Sequence, residues 1–138
     1  MRLPIRLLDN AWIEMTKVAN FKELFHKVDQ FWSPKIIAQL NDYHFKIAKL
    51  KGDFIWHAHD ETDEAFIVIE GTLKIEVRVE DSIETIFLQK GEMTVIPAGI
   101  AHRPIADEEC HALIIEPKET VNTGDADSDR KVEAEWID

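Results

Sequence analysis

Four side chains in two short stretches carry the chemistry this sequence can do. His57, His59 and Glu64 stand in G-D-F-I-W-H-A-H-D-E-T-D-E-A-F-I-V-I-E-G (52–71), and His102 ends G-E-M-T-V-I-P-A-G-I-A-H (91–102). In an extended strand successive side chains alternate faces, so histidines two apart project to one side and form a strand chelate; a helix would need a spacing of three or four. Glu64 follows the polar connection D-E-T-D and opens the run Ala65–Ile69, whose length and β-branched content suit a buried strand. Its carboxylate can turn back toward the imidazoles. Taken alone, an H-x-H pair is more often two surface histidines than a chelate, and Asp60, Glu61 and Asp63 compete with Glu64 as the carboxylate. The adjoining apolar strand favours Glu64 and leaves the other three in a solvated turn. Three imidazoles and one carboxylate suit one divalent transition metal: Mn, Fe, Co, Ni, Cu or Zn.

The two stretches resemble the paired motifs of the cupin superfamily. The first has a glycine, H-x-H, a glutamate and a closing glycine, here Gly52, His57, His59, Glu64 and Gly71; the second has a glycine, P-x-G and a histidine, here Gly91, Pro97, Gly99 and His102. Two departures are visible: the interval from Gly52 to His57 is one residue shorter than usual, and Ala106 stands where an asparagine is frequent. Neither touches a ligand. The resemblance, over residues 43–117, is to small single-domain cupins, including those similar to mannose-6-phosphate isomerase. It implies an all-β fold, a jelly-roll β-barrel. It also implies a metal held by His57, His59, Glu64 and His102 with one or two positions open to water, substrate or dioxygen, and it names no reaction, because the fold hosts many.

The whole chain sets bounds. Its 138 residues suit one domain. A net charge of −11 repels nucleic-acid phosphate and anionic lipid, so neither is an expected partner. A single cysteine, Cys110, and no signal-like apolar start lead to an expectation of a reducing, cytoplasmic location. No apolar run reaches membrane-spanning length.

Several elements must position the four residues. Residues 1–42 are read as an N-terminal arm (1–15), a short amphipathic helix and a first strand. Phe21, Leu24, Phe25 and Val28 follow helical spacing, Asn20 serves as cap, and Ser33-Pro34 is the stop. The helix is expected over one end of the barrel. Lys35–Leu40 and Tyr43–Leu50 read as strands joined by an Asn41-Asp42 turn, and Leu73, Ile75, Val77 and Val79 alternate with Lys74, Glu76, Arg78 and Glu80 as barrel wall. Ile83–Leu88, Met93–Ile96 and His111–Glu116 complete the strands, and residues 118–138 form an acidic tail anchored by Val121, Val132, Trp136 and Ile137. Asp125, Asp127 and Asp129 imitate a calcium loop, but Arg130 and Trp136 stand where that loop needs glycine and glutamate.

The remaining candidates read as structural: His26 and His44 lack ligand partners, and Cys110 lacks an activating neighbour. His111 is kept as a candidate for the barrel end. Strand parity turns Ile55, Phe66, Val68, Leu73, Ile75 and Val77 inward and Lys74, Arg78 and Arg103 outward, leaving a mostly apolar pocket in which only Lys46 or Lys49 could meet a phosphate. The expected ligand is therefore a small organic molecule. An oxidoreductase of dioxygenase type is favoured, with a sugar isomerase-like enzyme or a non-catalytic binding or sensing protein as alternatives. A DNA-binding regulator is disfavoured because one helix precedes the strands. Trp12, Ile13, Phe31 and Trp32 form a reserve of apolar side chains that a homodimer would bury.

Overall fold

Strands dominate because β-branched residues alternate with polar ones over most of the chain. The computed structural model describes residues 18–138, so the arm, with Trp12 and Ile13, lies outside the described residues. The elements are α1 (Phe21–Phe25), β1 (Lys35–Leu40), β2 (Tyr43–Asp53), β3 (Glu64–Glu70), β4 (Thr72–Val79), β5 (Ser82–Gln89), β6 (Met93–Ile96), β7 (His102–Pro117) and β8 (Glu135–Trp136). This is the all-β jelly-roll barrel with a short helix before it. No described helix is long and apolar enough to cross a membrane.

The hub is β7. Along one edge it pairs with β2 from Ile105 to Pro117; along the other it pairs first with β4, at His102–Ile105, and then with β3, at His111–Ile115. The sheet therefore branches into a β4–β5 leaf and a β3–β6 leaf, and the barrel encloses the side chains between them. Parity decides what enters. Ala48, Leu50, Phe66, Val68, Leu73, Ile75, Ala112 and Ile114 form the interior, while Ile47 and Leu113, one residue out of step, face the other side with Phe25 and Val28.

That second cluster corrects the position expected for the helix. α1 covers the outer face of the β2–β7–β3 wall, where Phe25 stacks on His111 with ring centroids 4.5 Å apart, rather than an end of the barrel. The helix is also shorter than its apolar spacing suggests. The Asn20 side chain accepts from the Glu23 N–H as the expected cap, but regular helix ends at Phe25, and Val28 is buried from the following turn. His111, whose other contact is Glu109 Oε2 at 2.6 Å, is a packing residue of this outer face.

Gly71 joins β3 to β4 at φ +84°, and a Cβ there would lie 2.8 Å from the Glu109 carbonyl oxygen, so backbone sterics alone require glycine.

Candidate metal centre

The four singled-out side chains meet because backbone pairing zips the two motifs together. His57 and His102 exchange both N–H···O=C bonds, at 3.0 and 2.8 Å, which makes them a hydrogen-bonded antiparallel pair. Gly99 N–H donates to the His59 carbonyl at 2.9 Å, and Glu64 opposes Ile96 across β3 and β6. Only His57 lies in a bridge, yet the segment is extended enough for parity to hold. Trp56 points the opposite way, under the Arg78 guanidinium 4.6 Å from its ring centroid. Asp60, Glu61 and Asp63 stay out of the site, and Asp63 accepts from the Ala98 N–H.

His57, His59, Glu64 and His102 are all buried, and one potential ligand atom from each lies within 4.8 Å of the others. Two of the imidazoles are oriented from behind. His57 Nδ1 faces the Ile55 carbonyl at 3.0 Å and His102 Nδ1 faces the Ile100 carbonyl at 2.9 Å. A carbonyl only accepts, so each Nδ1 carries the proton and each Nε2 presents a lone pair to the centre, the arrangement that backs histidine ligands in metal sites. In front, His102 Nε2 lies 3.1 Å and His59 Nε2 3.4 Å from Glu64 Oε1, and His59 Nε2 has no hydrogen-bond partner. Buried acceptors facing one another are stabilised by a cation between them. The donor set and its convergence suit a divalent transition metal.

Electrostatics agree. Burial, then the neighbouring His102, lowers the His57 pKa from 6.5 to about 4, which keeps its lone pair free. Between about pH 4 and 6.5 the unfolded chain binds a proton at His57 that the folded chain does not, so stability rises with pH. The stability is fully present above pH 6.5 and is lost as pH falls toward 4, a change of about 3 kcal/mol for the metal-free chain. Glu116 runs the other way, because burial and then the nearby Glu64 charge raise its pKa. The His57 share is therefore the difference between wild type and His57→Gln in urea unfolding. Parallel pH profiles for the two would contradict this assignment.

His57 and Glu64 line a cavity of about 40 Å³ together with Glu116, Trp32, Phe54 and Phe66, while His59 lines a second, more open cavity of about 350 Å³ with Ala58, Asp60, Lys118 and Asp125. Trp32 stacks on Phe54 with centroids 4.8 Å apart and donates Nε1–H to the Lys51 carbonyl. It closes its own barrel, which takes it out of the apolar reserve expected for a dimer. Lys46 does turn inward, but its ammonium is 2.8 Å from Glu116 Oε1 and 3.2 Å from the Thr120 carbonyl, with both charged side chains buried. Sequence parity gave Lys46 as a candidate and missed Glu116. The signal was present, since Glu116 shares the Ala112–Ile114 face, but the pairing needs the β2–β7 register. Lys49 is on the opposite face, and neither lysine lines the cavity. Ile55, expected inside, is only half-buried and contributes its carbonyl instead.

Comparisons with known proteins fall on the same region. A family model described as the cupin domain matches residues 43–116. A solved cupin-2 domain-containing protein of Shewanella frigidimarina is 53% identical with a TM-score of 0.69, covering 75% of this chain and 97% of that one. The uncharacterised protein YdbB of Bacillus subtilis is 33% identical over 89 residues, 64% of this chain and 76% of its own. An acireductone dioxygenase of Phaeosphaeria nodorum is 30% identical over 96 residues, 64% of this chain; the match spans 54% of that enzyme's length.

Proposed function

We propose, from the premise that this chain belongs to the cupin family, that it is a metal-dependent oxidoreductase of dioxygenase type acting on a small uncharged organic molecule. The observation that carries this reading is the convergence of His57, His59, Glu64 and His102, of which His57 and Glu64 line a largely apolar cavity that holds no lysine or arginine. In this reading those four side chains hold one divalent metal, residues 43–117 form the working barrel, and 118–138 pack on it. The metal would supply Lewis acidity and, where redox-active, a means for dioxygen to react with substrate. The protein's part is to orient and to exclude water. Trp32, Phe54 and Phe66 form an apolar wall, and the His57 and His102 imidazoles are fixed by their Nδ1 contacts. The isomerase-like alternative needs a cation for phosphate, and Lys46 is already committed to Glu116. The acireductone dioxygenase match favours oxygen chemistry on the shared segment.

The test is elemental analysis of protein purified without added metal, followed by oxygen uptake against neutral phenols and enediols, with phosphosugars alongside. Uptake with a neutral substrate is expected. Turnover of a phosphosugar without uptake would favour the isomerase, and saturable ligand binding without any turnover would make the chain a binding or sensing protein.

Cys110 is free and buried, and burial pushes its thiol up to about 12, so it acts as a small hydrophobe and fits a cytoplasmic home. The assembly is proposed to be a homodimer, since Phe87, Ile83, Met93 and Val95 remain exposed on β5 and β6, as does Phe31. Light scattering should give twice the 16.0 kDa chain mass, falling in Phe87→Glu. A single-chain mass at tens of micromolar would contradict it.

A further inference from the structure

The tail beyond the matched domain reaches back to the peptide between the two histidines of the chelate. Ala58 N–H donates to Asp125 Oδ1 at 2.8 Å, and Asp125 N–H donates to the Ala58 carbonyl at 2.9 Å. These reciprocal bonds occupy both polar groups of Ala58, which the His57–His102 pairing leaves without a strand partner. Gly124, at φ +56°, lies so close that a Cβ would stand 2.3 Å from the Ala58 oxygen and 3.2 Å from His57 Cδ2. On the other side, the His59 carbonyl is held by Gly99 and the His57 ring by the Ile55 carbonyl. The His57–His59 segment is thus clamped between the second motif and the tail.

We propose that the Gly124–Asp125 turn is a positioning element for the metal, which sets the angle between the His57 and His59 imidazoles through the Ala58 peptide; this rests on the metal-binding reading above. Asp125 touches no ligand atom and acts only through Ala58. It needs an acceptor oxygen at Oδ1 rather than a charge. Gly124 must lack a side chain, because any shift of the Ala58 carbonyl rotates the Ala58–His59 peptide plane and with it the His59 ring relative to His57. The rest of the Asp125 side chain is exposed, so its replacement removes one bond without opening the core. Asp127, equally acidic and exposed two residues on, is a charge-matched control.

The experiment loads the full chain with Zn²⁺ and equilibrates it against a chelator of known affinity, with a melting curve in excess chelator for each variant. Asp125→Ala and Gly124→Ala should each lose about tenfold in Zn²⁺ affinity, the scale on which groups behind metal ligands act. Asp125→Asn, which keeps the oxygen, should stay within about threefold of wild type, and Asp127→Ala should match it. A purely structural tail contact would lower the chelator-state melting temperature and leave Zn²⁺ affinity unchanged, which would overturn the proposal. Asp125→Asn binding as weakly as Asp125→Ala would overturn it as well. Failure of the wild type to bind Zn²⁺ would instead sink the metal-binding reading on which it stands.

Discussion

Replacing His59 with alanine is expected to lower metal occupancy by about tenfold or more while leaving the barrel folded. His59 Nε2 is buried, faces Glu64 Oε1 at 3.4 Å and has no hydrogen-bond partner in the protein, so it carries a desolvation cost that a bound cation removes. Its loss leaves two imidazoles and one carboxylate. No ladder pairing depends on it, because His59 lies between β2 and β3 and its backbone bond to Gly99 survives the substitution. Elemental analysis after dialysis, with far-ultraviolet circular dichroism on the same sample, checks both halves. Full occupancy in the variant would show that the metal, if any, is held elsewhere.

The second large effect is on stability. Lys46→Met should destabilise the chain by about 3 kcal/mol or more, because breaking one side of a buried ion pair strands the other. Lys46 and Glu116 are each 3% exposed and their charged atoms are 2.8 Å apart. Without the ammonium, Glu116 keeps its burial and its neighbour Glu64, the two causes that raise its pKa. The double variant Lys46→Met/Glu116→Leu removes both charges from the apolar interior and should recover most of the loss. Urea unfolding in excess chelator measures this separately from metal binding. A single-variant cost below about 1 kcal/mol, the scale of an exposed pair, would mean that the pair is not what holds this part of the core.

The sequence was most legible where one face of a strand is buried. Leu73, Ile75 and Val77 alternate cleanly with charged residues, and β4 appears where that pattern stands. The Asn41-Asp42 hairpin was equally plain, with Asn41 at φ +53°, a conformation asparagine tolerates. The four convergent residues were readable from spacing and motif. Their convergence depends on two pairings that sequence does not show, His57 with His102 and Glu64 with Ile96. β7 was recognised only over its last third, because Asp107, Glu108 and Glu109 interrupt the apolar signal at an irregularity in the β2 pairing, which resumes at Ala106. Trp32 looked like an interface residue because an aromatic before the first motif has no periodicity to place it. It sits at φ +58°, a conformation rare for a bulky side chain, held by its stack on Phe54 and its bond to Lys51. The tail was the least legible part. Its apolar residues read as anchors on the barrel and the stretch around Asp125, Asp127 and Asp129 as a solvated loop, yet Gly124 and Asp125 dock that stretch on the chelate through backbone groups.

The central claim is that the four buried side chains form one metal site inside the barrel. X-ray diffraction from crystals of the protein as purified, recorded on either side of the absorption edge of the metal found by elemental analysis, tests it most directly. The account predicts a single strong anomalous peak per chain, enclosed by His57 Nε2, His59 Nε2, His102 Nε2 and a Glu64 carboxylate oxygen. A peak elsewhere, or none in protein that has been offered metal, would contradict it.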